Sequence, residues 1–344
     1  MTSNLRLPII DIAPYLTPAA TSEQVAARKA VSGALHDACL RFGFFYLDIS
    51  TYVDPLVPDE LAALARDFFH LPQEVKDRIS LTKQDNARGY QRLKENVTNG
   101  KADNHEGLDF YRPVEQPDRT RPLWGENQYP LDSDVPGFRA KYELWVEKMK
   151  ILGLWKRRMA IGLGMTSEEW QELRAQVDDS FWVMRAIGYP PLPDDHDGDY
   201  GCLTFLYADP TPSALQVFLQ QPGAVVDAAP LAGLPVEQGD AEGVWINADP
   251  IPGCVVCNIG EMWEIWSAGL YKSTLHRVIH RSSNYRVSIP FFFEPNFDAM
   301  IKPLAAAKRI IGDTAPELEP VSYGAFLMKK VGNNFTTGKG KYDS

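Results

Sequence analysis

The stretch YRVSIPFFF at residues 285–293 is the longest of the short runs that decide the fold. It is rich in aromatic and β-branched residues, which favour strands. Similar runs precede it, separated by turns that contain Pro and Gly: VMRAIGY (183–189), CLTFLYA (202–208), ALQVFLQ (214–220), GVWINA (243–248), CVVCNIG (254–260) and HRVIH (276–280). Several short strands at such close spacing predict a β-sandwich or barrel.

The sequence before this region favours helices. Thr21 precedes an acidic first turn that contains Glu23, which is typical of a helix start, and apolar residues then recur at helical spacing. Residues 84–136 are polar throughout and predict loops with short strands. Further helical patterns lie at 59–70 and 138–164 and, near the end of the chain, at 303–311 and 320–331.

We predict one integrated domain over residues 1–344, since no linker of distinct composition separates its parts. Within it, residues 1–180 form a mostly helical N-terminal part and residues 181–300 form the β core. Residues 301–344 supply C-terminal helices and a tail. The predicted fold class is therefore mainly β with flanking α-helices.

Composition narrows the classes of function. The chain has 35 Lys and Arg against 45 Asp and Glu, a net charge of −10, so it is a poor candidate for nucleic-acid binding. No apolar run is long enough for a transmembrane helix, no secretory signal is visible, and four Cys do not form a disulfide scaffold. We expect a cytoplasmic protein with a small-molecule substrate and neither a nucleic-acid nor a membrane partner; its oligomeric state stays open.

Two polar residues share one face of the last predicted strand. Side chains alternate along a strand, so Arg286 and Ser288 point to the same side. An Arg fork and a hydroxyl in this arrangement suit a carboxylate. We interpret residues 282–284 as the turn of a strand–turn–strand unit that follows His276. Upstream, Asp199 stands at the mouth of a predicted strand, where a carboxylate can reach a metal at the end of a barrel.

Other candidate residues have simpler interpretations. We assign His36 and His70 to helical surface or packing positions, and His105 to a polar loop, because none has a neighbour at metal-ligand spacing. Cys254 and Cys257 could be a redox pair or half a zinc site, but they lie in an apolar strand pattern and are better explained as small buried residues.

Long segments of the chain resemble the isopenicillin N synthase-like branch of the Fe(II)/2-oxoglutarate-dependent dioxygenases. The similarity covers most of the chain, from LPIIDIAPYL at 7–16 and FFHLPQEVKDRI at 68–79 to RAIGYPP at 185–191, DYGCLTFLYAD at 199–209 and YRVSIPFFFEPNF at 285–297. The resemblance implies a double-stranded β-helix, or jelly roll, as the core. It also implies Fe(II), 2-oxoglutarate as cosubstrate, and O₂.

The resemblance further implies roles for single residues within the 181–300 core. Asp199 matches the acidic iron ligand and His276 the distal histidine ligand. Arg286 and Ser288 match the residues that clamp the carboxylate of 2-oxoglutarate. Tyr189 matches a tyrosine that hydrogen-bonds the same carboxylate. Arg185 and Phe292 match residues that line the substrate pocket.

The chain departs from the family pattern at the first iron ligand. The pattern H-x-D-Y-G requires His at position 197, but the residue there is Asp197. Three explanations are open. His196 could supply the third ligand from a changed loop, Asp197 could replace it with a carboxylate, or the metal site could be broken.

We therefore expect an oxygenase that couples 2-oxoglutarate decarboxylation to hydroxylation, desaturation or cyclisation of a small metabolite. The incomplete metal motif leaves an alternative: a catalytically impaired jelly-roll protein that binds a small carboxylate or a partner. An oxidase of the same fold that does not consume 2-oxoglutarate is a third possibility, although the Arg286 and Ser288 clamp argues against it.

Overall fold

A computed structural model describes residues 6–16, 18, 21–98, 101–154, 162–191, 204–219, 243–314 and 318–334. The helices in this part of the chain are α1 (Ser22–Arg41), α2 (Leu56–Phe69), α3 (Gln73–Lys76), α4 (Phe138–Leu154), α5 (Ser167–Arg174), α6 (Glu261–Trp266), α7 (Ala305–Ile311) and α8 (Tyr323–Asn334). None of these helices combines the length and the apolar composition that crossing a bilayer would need.

The strands are, in chain order, β1 (Ile9–Asp11), β2 (Phe44–Asp48), β3 (Gly89–Gln91), β4 (Val97–Thr98), β5 (Lys101–Ala102), β6 (Glu106–Tyr111), β7 (Val183–Tyr189), β8 (Thr204–Ala208), β9 (Leu215–Leu219), β10 (Val244–Asn247), β11 (Cys254–Asn258), β12 (His276–Val278), β13 (Arg286–Phe292), β14 (Met300–Ile301) and β15 (Val321–Ser322).

Two facing sheets form the core. The large sheet has the strand order β1-β2-β11-β8-β13-β7-β6-β3, and the small sheet has the order β10-β9-β12. Only the β1–β2 pair is parallel among the pairings of these two sheets that the structure describes. Residues of both sheets meet in one apolar cluster between them, which includes Tyr46, Val217, Ile246 and Val256.

The opposite face of the large sheet is covered by helices. Val287, Ile289 and Phe291 of β13 belong to a second, larger cluster that also contains residues of α1, α2 and α4. Because neighbours along a strand point to opposite faces, Arg286 and Ser288 face the space between the two sheets. The fold therefore gives β13 an apolar outer face and an inner face that carries the polar pair Arg286 and Ser288.

Helix α2 lies against β7 and β13 of the large sheet, and helix α4 packs against α2. The buried residues of α4 recur every three or four positions, which gives one apolar stripe: Phe138, Tyr142, Trp145, Met149 and Leu152. The Tyr142 hydroxyl donates to the Leu61 carbonyl on α2 at 3.1 Å. At Gly153 the helix lies so close to the sheet that a Cβ atom would stand 1.8 Å from the Phe293 ring.

The observed elements confirm most of the sequence predictions. Each predicted core run contains a strand, the Thr21 cap forms a capping box at the start of α1, and the fold is mainly β with flanking α-helices. The part from 1 to 180 contains helices α1 to α5 and also contributes strands β1, β2, β3 and β6 to the large sheet. The division into a single domain over 1–344 stays a prediction.

The strand–turn–strand prediction around residues 282–284 is wrong. Strand β12 pairs with β9 in the small sheet, whereas β13 pairs with β7 and β8 in the large sheet. The connection therefore crosses from one sheet to the other. His280 lies within it, where its Nε2 stands 2.7 Å from the Asn284 carbonyl oxygen.

Candidate active site

The inner face of β13 holds the predicted carboxylate clamp. Arg286 lies opposite Tyr189 on β7, and Ser288 lies opposite Ile187 on β7 and Ala208 on β8. Both residues are buried, with exposed fractions of 1% and 2%. The Arg286 Cζ atom stands 4.9 Å from the centroid of the Tyr189 ring. The structure thus brings together the three residues predicted to bind 2-oxoglutarate.

The Arg286 guanidinium is buried with unused donors. Its Nε and Nη1 atoms have no hydrogen-bond partner in the described part of the chain. Burial lowers the pKa of Arg286, while Tyr189 and Asp209 act in the opposite direction. A buried cation with two unpaired nitrogen donors is costly unless a ligand pairs with it, and a carboxylate is the anionic acceptor that suits a guanidinium. The site therefore fits one carboxylate group of 2-oxoglutarate.

Asp209 holds the backbone at the start of β13 in place. Its carboxylate accepts a hydrogen bond from the Val287 backbone N–H at 2.7 Å and forms an ion pair with Arg66 of α2. These contacts hold the backbone from which Arg286 and Ser288 project. The clamp is therefore positioned before any ligand arrives.

His276 enters the same interior from the small sheet. It lies opposite Val217, which is fully buried between the sheets, so the two side chains share the inner face. Its ring contacts Phe44 at 5.0 Å between centroids. Its Nδ1 stands 3.0 Å from the Thr274 carbonyl oxygen. Because a carbonyl only accepts, Nδ1 carries the hydrogen and Nε2 keeps the lone pair that a metal needs.

The other predicted metal ligands, Asp199 and His196, lie outside the described residues, as does Asp197. Across the ranges that are described, no three His, Cys, Asp or Glu side chains are grouped so that they could hold a metal ion. His276 is thus the one predicted iron ligand whose surroundings can be given. Its metal-binding role stays a prediction.

The two predicted pocket residues lie on the same inner face as the clamp. Arg185 of β7 forms an ion pair with Asp109 of β6, 2.8 Å from Nε to Oδ1, and its Nη2 donates to Gln91 Oε1 at 3.2 Å. Phe292 ends β13 opposite Val183 and is half-buried. Their contact with a substrate stays a prediction.

Sequence reasoning missed three buried polar residues beside Arg185. His105, which we assigned to a polar loop, is 2% exposed, and its ring centroid lies 5.7 Å from that of Tyr189. Gln91 and Asp109 are equally buried, at 0% and 1%. The signal lies in the alternation of β6, where Asp109 stands between Leu108 and Phe110, whose side chains point to the opposite face.

The histidines and cysteines that we assigned no metal or redox role lie in simple surface or packing positions. His70 is exposed, and the half-buried His36 has its Nδ1 2.9 Å from the Tyr271 hydroxyl oxygen. Cys257 is fully buried and Cys254 half-buried, and both are free thiols. Burial raises the pKa of Cys254 to about 11, which makes a reactive thiolate unfavourable.

Two family models match the chain. The 2OG-Fe(II) oxygenase superfamily model covers residues 179–295, and the model for the N-terminal region of the non-haem dioxygenase in morphine synthesis covers residues 7–132. A homoarginine-6-hydroxylase of Oryza sativa subsp. japonica is 36% identical over 96% of this chain and 97% of its own length. The chain belongs to the 2-oxoglutarate/Fe(II)-dependent dioxygenases.

Further relatives and solved structures agree with this family. A homoarginine-6-hydroxylase of Glycine max is 37% identical over 96% of this chain and 97% of its own length. A full-length Neurospora crassa protein, solved in complex with alpha-KG, superposes with a TM-score of 0.74 at 22% identity, over 96% of both chains. The rice dioxygenase for auxin oxidation gives 0.65 at 20% identity over 98% of this chain and 99% of its own. These structures confirm the predicted jelly-roll fold.

As a dioxygenase of this family, the chain is an enzyme that couples 2-oxoglutarate decarboxylation to oxidation of a small molecule, with Fe(II) and O₂. The comparisons do not favour the alternative of an impaired binding protein, because the named relatives are oxygenases along nearly their whole length. The identity of the third metal ligand is a separate question that the sequence at position 197 raises.

Proposed function

We propose that this dioxygenase oxidises a cationic amino acid of the homoarginine class, with Arg286, Ser288 and Tyr189 holding 2-oxoglutarate. The relatives in rice and soybean are named homoarginine-6-hydroxylases and align along nearly the whole chain, which supports this substrate. The single observation that carries the cosubstrate site is the buried Arg286 guanidinium with two unpaired donors in the described structure.

Each clamp residue has a distinct task in this proposal. Arg286 pairs with the far carboxylate of 2-oxoglutarate through one of its unpaired guanidinium nitrogens, and Ser288 donates one hydrogen bond from its hydroxyl. Tyr189 flanks the guanidinium and limits the space in which the carboxylate can move. Together they fix one end of the cosubstrate, so that its keto acid end has a defined direction.

The metal site in this proposal is built from His276, Asp199 and one further ligand. His276 offers Nε2, because Thr274 fixes its Nδ1 hydrogen. The third ligand is His196 or Asp197, both of which precede Asp199 within three residues. When bound, Fe(II) supplies the O₂ activation that family members couple to decarboxylation. The protein's part is to orient the cosubstrate and keep the site dry.

The cosubstrate site can be tested by an anaerobic titration of Fe(II) and 2-oxoglutarate that follows the visible charge-transfer band. We expect Arg286→Gln to weaken 2-oxoglutarate binding by about a hundredfold or more, since the ligand loses a charge-assisted pair. The matched control is Arg281→Gln, the same change at an exposed position of the preceding connection. Equal affinity of the Arg286→Gln protein and wild type would refute the clamp.

The third ligand can be tested in the same titration with His196→Ala and Asp197→Ala. If His196 is the ligand, its variant loses the band and the Asp197 variant keeps it; the reverse pattern identifies Asp197. A band in both variants means that two protein ligands suffice. No band in wild type would contradict an intact metal site.

The substrate can be tested by turnover with L-homoarginine, L-arginine and L-lysine. We expect succinate formation to depend on the added amino acid, and a product heavier by one oxygen atom with L-homoarginine. Succinate formed at equal rates with and without every amino acid would contradict the proposed substrate class, while leaving the 2-oxoglutarate chemistry in place.

A further inference from the structure

Beside the clamp, the inner face of the large sheet carries a second group of buried polar side chains, here called the polar patch: Gln91, His105, Asp109 and Arg185. The registers run from Ser288 to Ile187, from Ile187 to Gly107, and from Gly107 to Gln91. Ser288, Ile187, Gly107 and Gln91 therefore form one row across neighbouring strands, and Arg185 and Asp109 lie in the next row on the same face. At about 4.8 Å per strand, Gln91 lies about 14 Å from Ser288 along the sheet.

Gln91 has an unused donor in this patch. Its Oε1 accepts a hydrogen bond from Arg185 Nη2 at 3.2 Å, which orients the amide. Its Nε2 is buried and has no partner in the described part of the chain, and an amide nitrogen can only donate. His105, at the same end of the sheet, has an Nε2 without a partner there, which donates or accepts according to the tautomer of the ring. Buried donors are normally satisfied, so an acceptor from a ligand is expected.

The charge of the patch selects the kind of acceptor. Arg185 supplies a cation, and Asp109 lies on its Nε side at 2.8 Å. Gly107 has no side chain, so the guanidinium lies directly over β6; a Cβ there would stand 3.4 Å from Arg185 Nη2. A cationic group at this place would meet the Arg185 charge and the Gln91 hydrogens. A carboxylate would be attracted by the Arg185 charge, which Asp109 offsets in part, and would accept a hydrogen bond from Gln91 Nε2.

We propose that the polar patch binds the carboxylate of the prime substrate, with Gln91 Nε2 as the hydrogen-bond donor and Arg185 as the positive charge. This inference rests on the proposed function and deepens it. It restricts the substrates to carboxylic acids, such as α-amino acids. It also gives them a direction, with the carboxylate on the sheet between β3 and β7 and the carbon to be oxidised toward His276.

The experiment compares L-homoarginine with L-homoargininamide, which keeps both cationic groups and lacks the carboxylate. Calorimetry gives the dissociation constant of each compound for the Fe(II)- and 2-oxoglutarate-loaded protein under anaerobic conditions, while the charge-transfer band reports 2-oxoglutarate independently. The variant is Gln91→Glu, which keeps an oxygen acceptor for Arg185, removes the donor nitrogen and adds a negative charge. The matched control is Gln171→Glu, the same change at an exposed position of α5.

We expect wild type to bind the acid about tenfold to a hundredfold more tightly than the amide. In Gln91→Glu this preference should vanish or invert, with the 2-oxoglutarate band unchanged, and Gln171→Glu should match wild type. Equal binding of acid and amide by wild type, or an unchanged preference in Gln91→Glu, would overturn the inference. If wild type showed no charge-transfer band, the proposed function would be contradicted instead. The ratio of acid to amide affinity comes from calorimetry and not from the band, so it would still decide the inference.

Discussion

At the scale of single residues, the inner face of the large sheet carries buried polar side chains beside the apolar cluster that lies between the two sheets. Arg286 and Gln91 keep unused donors there in the described structure, and both are at most 1% exposed. Such groups cost stability unless something binds them, and functional sites are where proteins accept this cost. The two groups lie on one face of one sheet, which fits a cosubstrate site beside a substrate site.

His105 links this interior to the pH dependence of stability. Burial lowers the pKa of His105 to about 3; Arg185 acts in the same direction and Asp103 opposes it. In the unfolded chain a histidine titrates near about 6.5, so between these values the unfolded state binds the extra proton. Stability is therefore full above about pH 6.5 and falls as the pH decreases toward 3.

We expect the free energy of unfolding of wild type to fall by roughly 2 kcal/mol more between pH 7.5 and pH 5 than that of His105→Gln. Urea denaturation at both pH values measures this difference. The control is His70→Gln at an exposed position, which should retain the pH dependence of wild type. If the His105→Gln protein kept the full pH dependence, the buried neutral histidine would not be its source.

At the scale of elements, helix α4 is set against the large sheet by a single small residue. A Cβ on Gly153 would overlap the Phe293 ring, at 1.8 Å. We expect Gly153→Ala to lower the free energy of unfolding by about 1–3 kcal/mol, because the helix must shift away from the sheet. The matched control is Gly33→Ala on α1, where a Cβ meets nothing within 4 Å.

In an open helical position, alanine is favoured over glycine by up to about 1 kcal/mol, so the control should be neutral or stabilising. Thermal and urea denaturation of both variants provide the comparison. A Gly153→Ala protein as stable as wild type would mean that α4 does not press on Phe293.

The elements also show what a single sequence can predict. The core strands were predictable because each is a short apolar run between Pro and Gly turns, and Arg286 and Ser288 follow from the alternation of β13. Strand β6 was not predictable as a buried strand, because its EGLDFY sequence places charged residues among apolar ones. These charged residues can be buried because each has an oppositely charged partner. Asp109 pairs with Arg185, and the Glu106 carboxylate accepts a hydrogen bond from Lys76 Nζ at 2.7 Å.

The change of sheet between β12 and β13 could not be predicted from the sequence either. A short polar connection such as Ser282–Asn284 is compatible with a hairpin, and only the pairing of β12 with β9 excludes it. Sheet assignment depends on contacts far apart along the chain, which local patterns do not contain. The same applies to His105, whose polar sequence neighbours concealed its burial.

At the scale of the whole molecule, the N-terminal part and the β core share both a sheet and an apolar cluster. Strand β2 pairs with β11, and β6 pairs with β7, so strands from before residue 180 border the core strands on two sides. The outer face of β13 packs in the same cluster as residues of α2 and α4. Removal of the N-terminal part would leave two unpaired strand edges and an exposed apolar face.

We therefore expect the full chain to unfold in one cooperative transition, and a fragment of residues 181–344 to lack one. Circular dichroism and tryptophan fluorescence during urea denaturation measure both, and coincident curves for the full chain indicate a single unit. The physical reason is that the fragment loses Phe44 and Tyr46 from the inner cluster between the sheets and also loses the helical cover of β13. A fragment with its own cooperative transition, or two separate transitions in the full chain, would show that residues 1–344 are not one integrated domain.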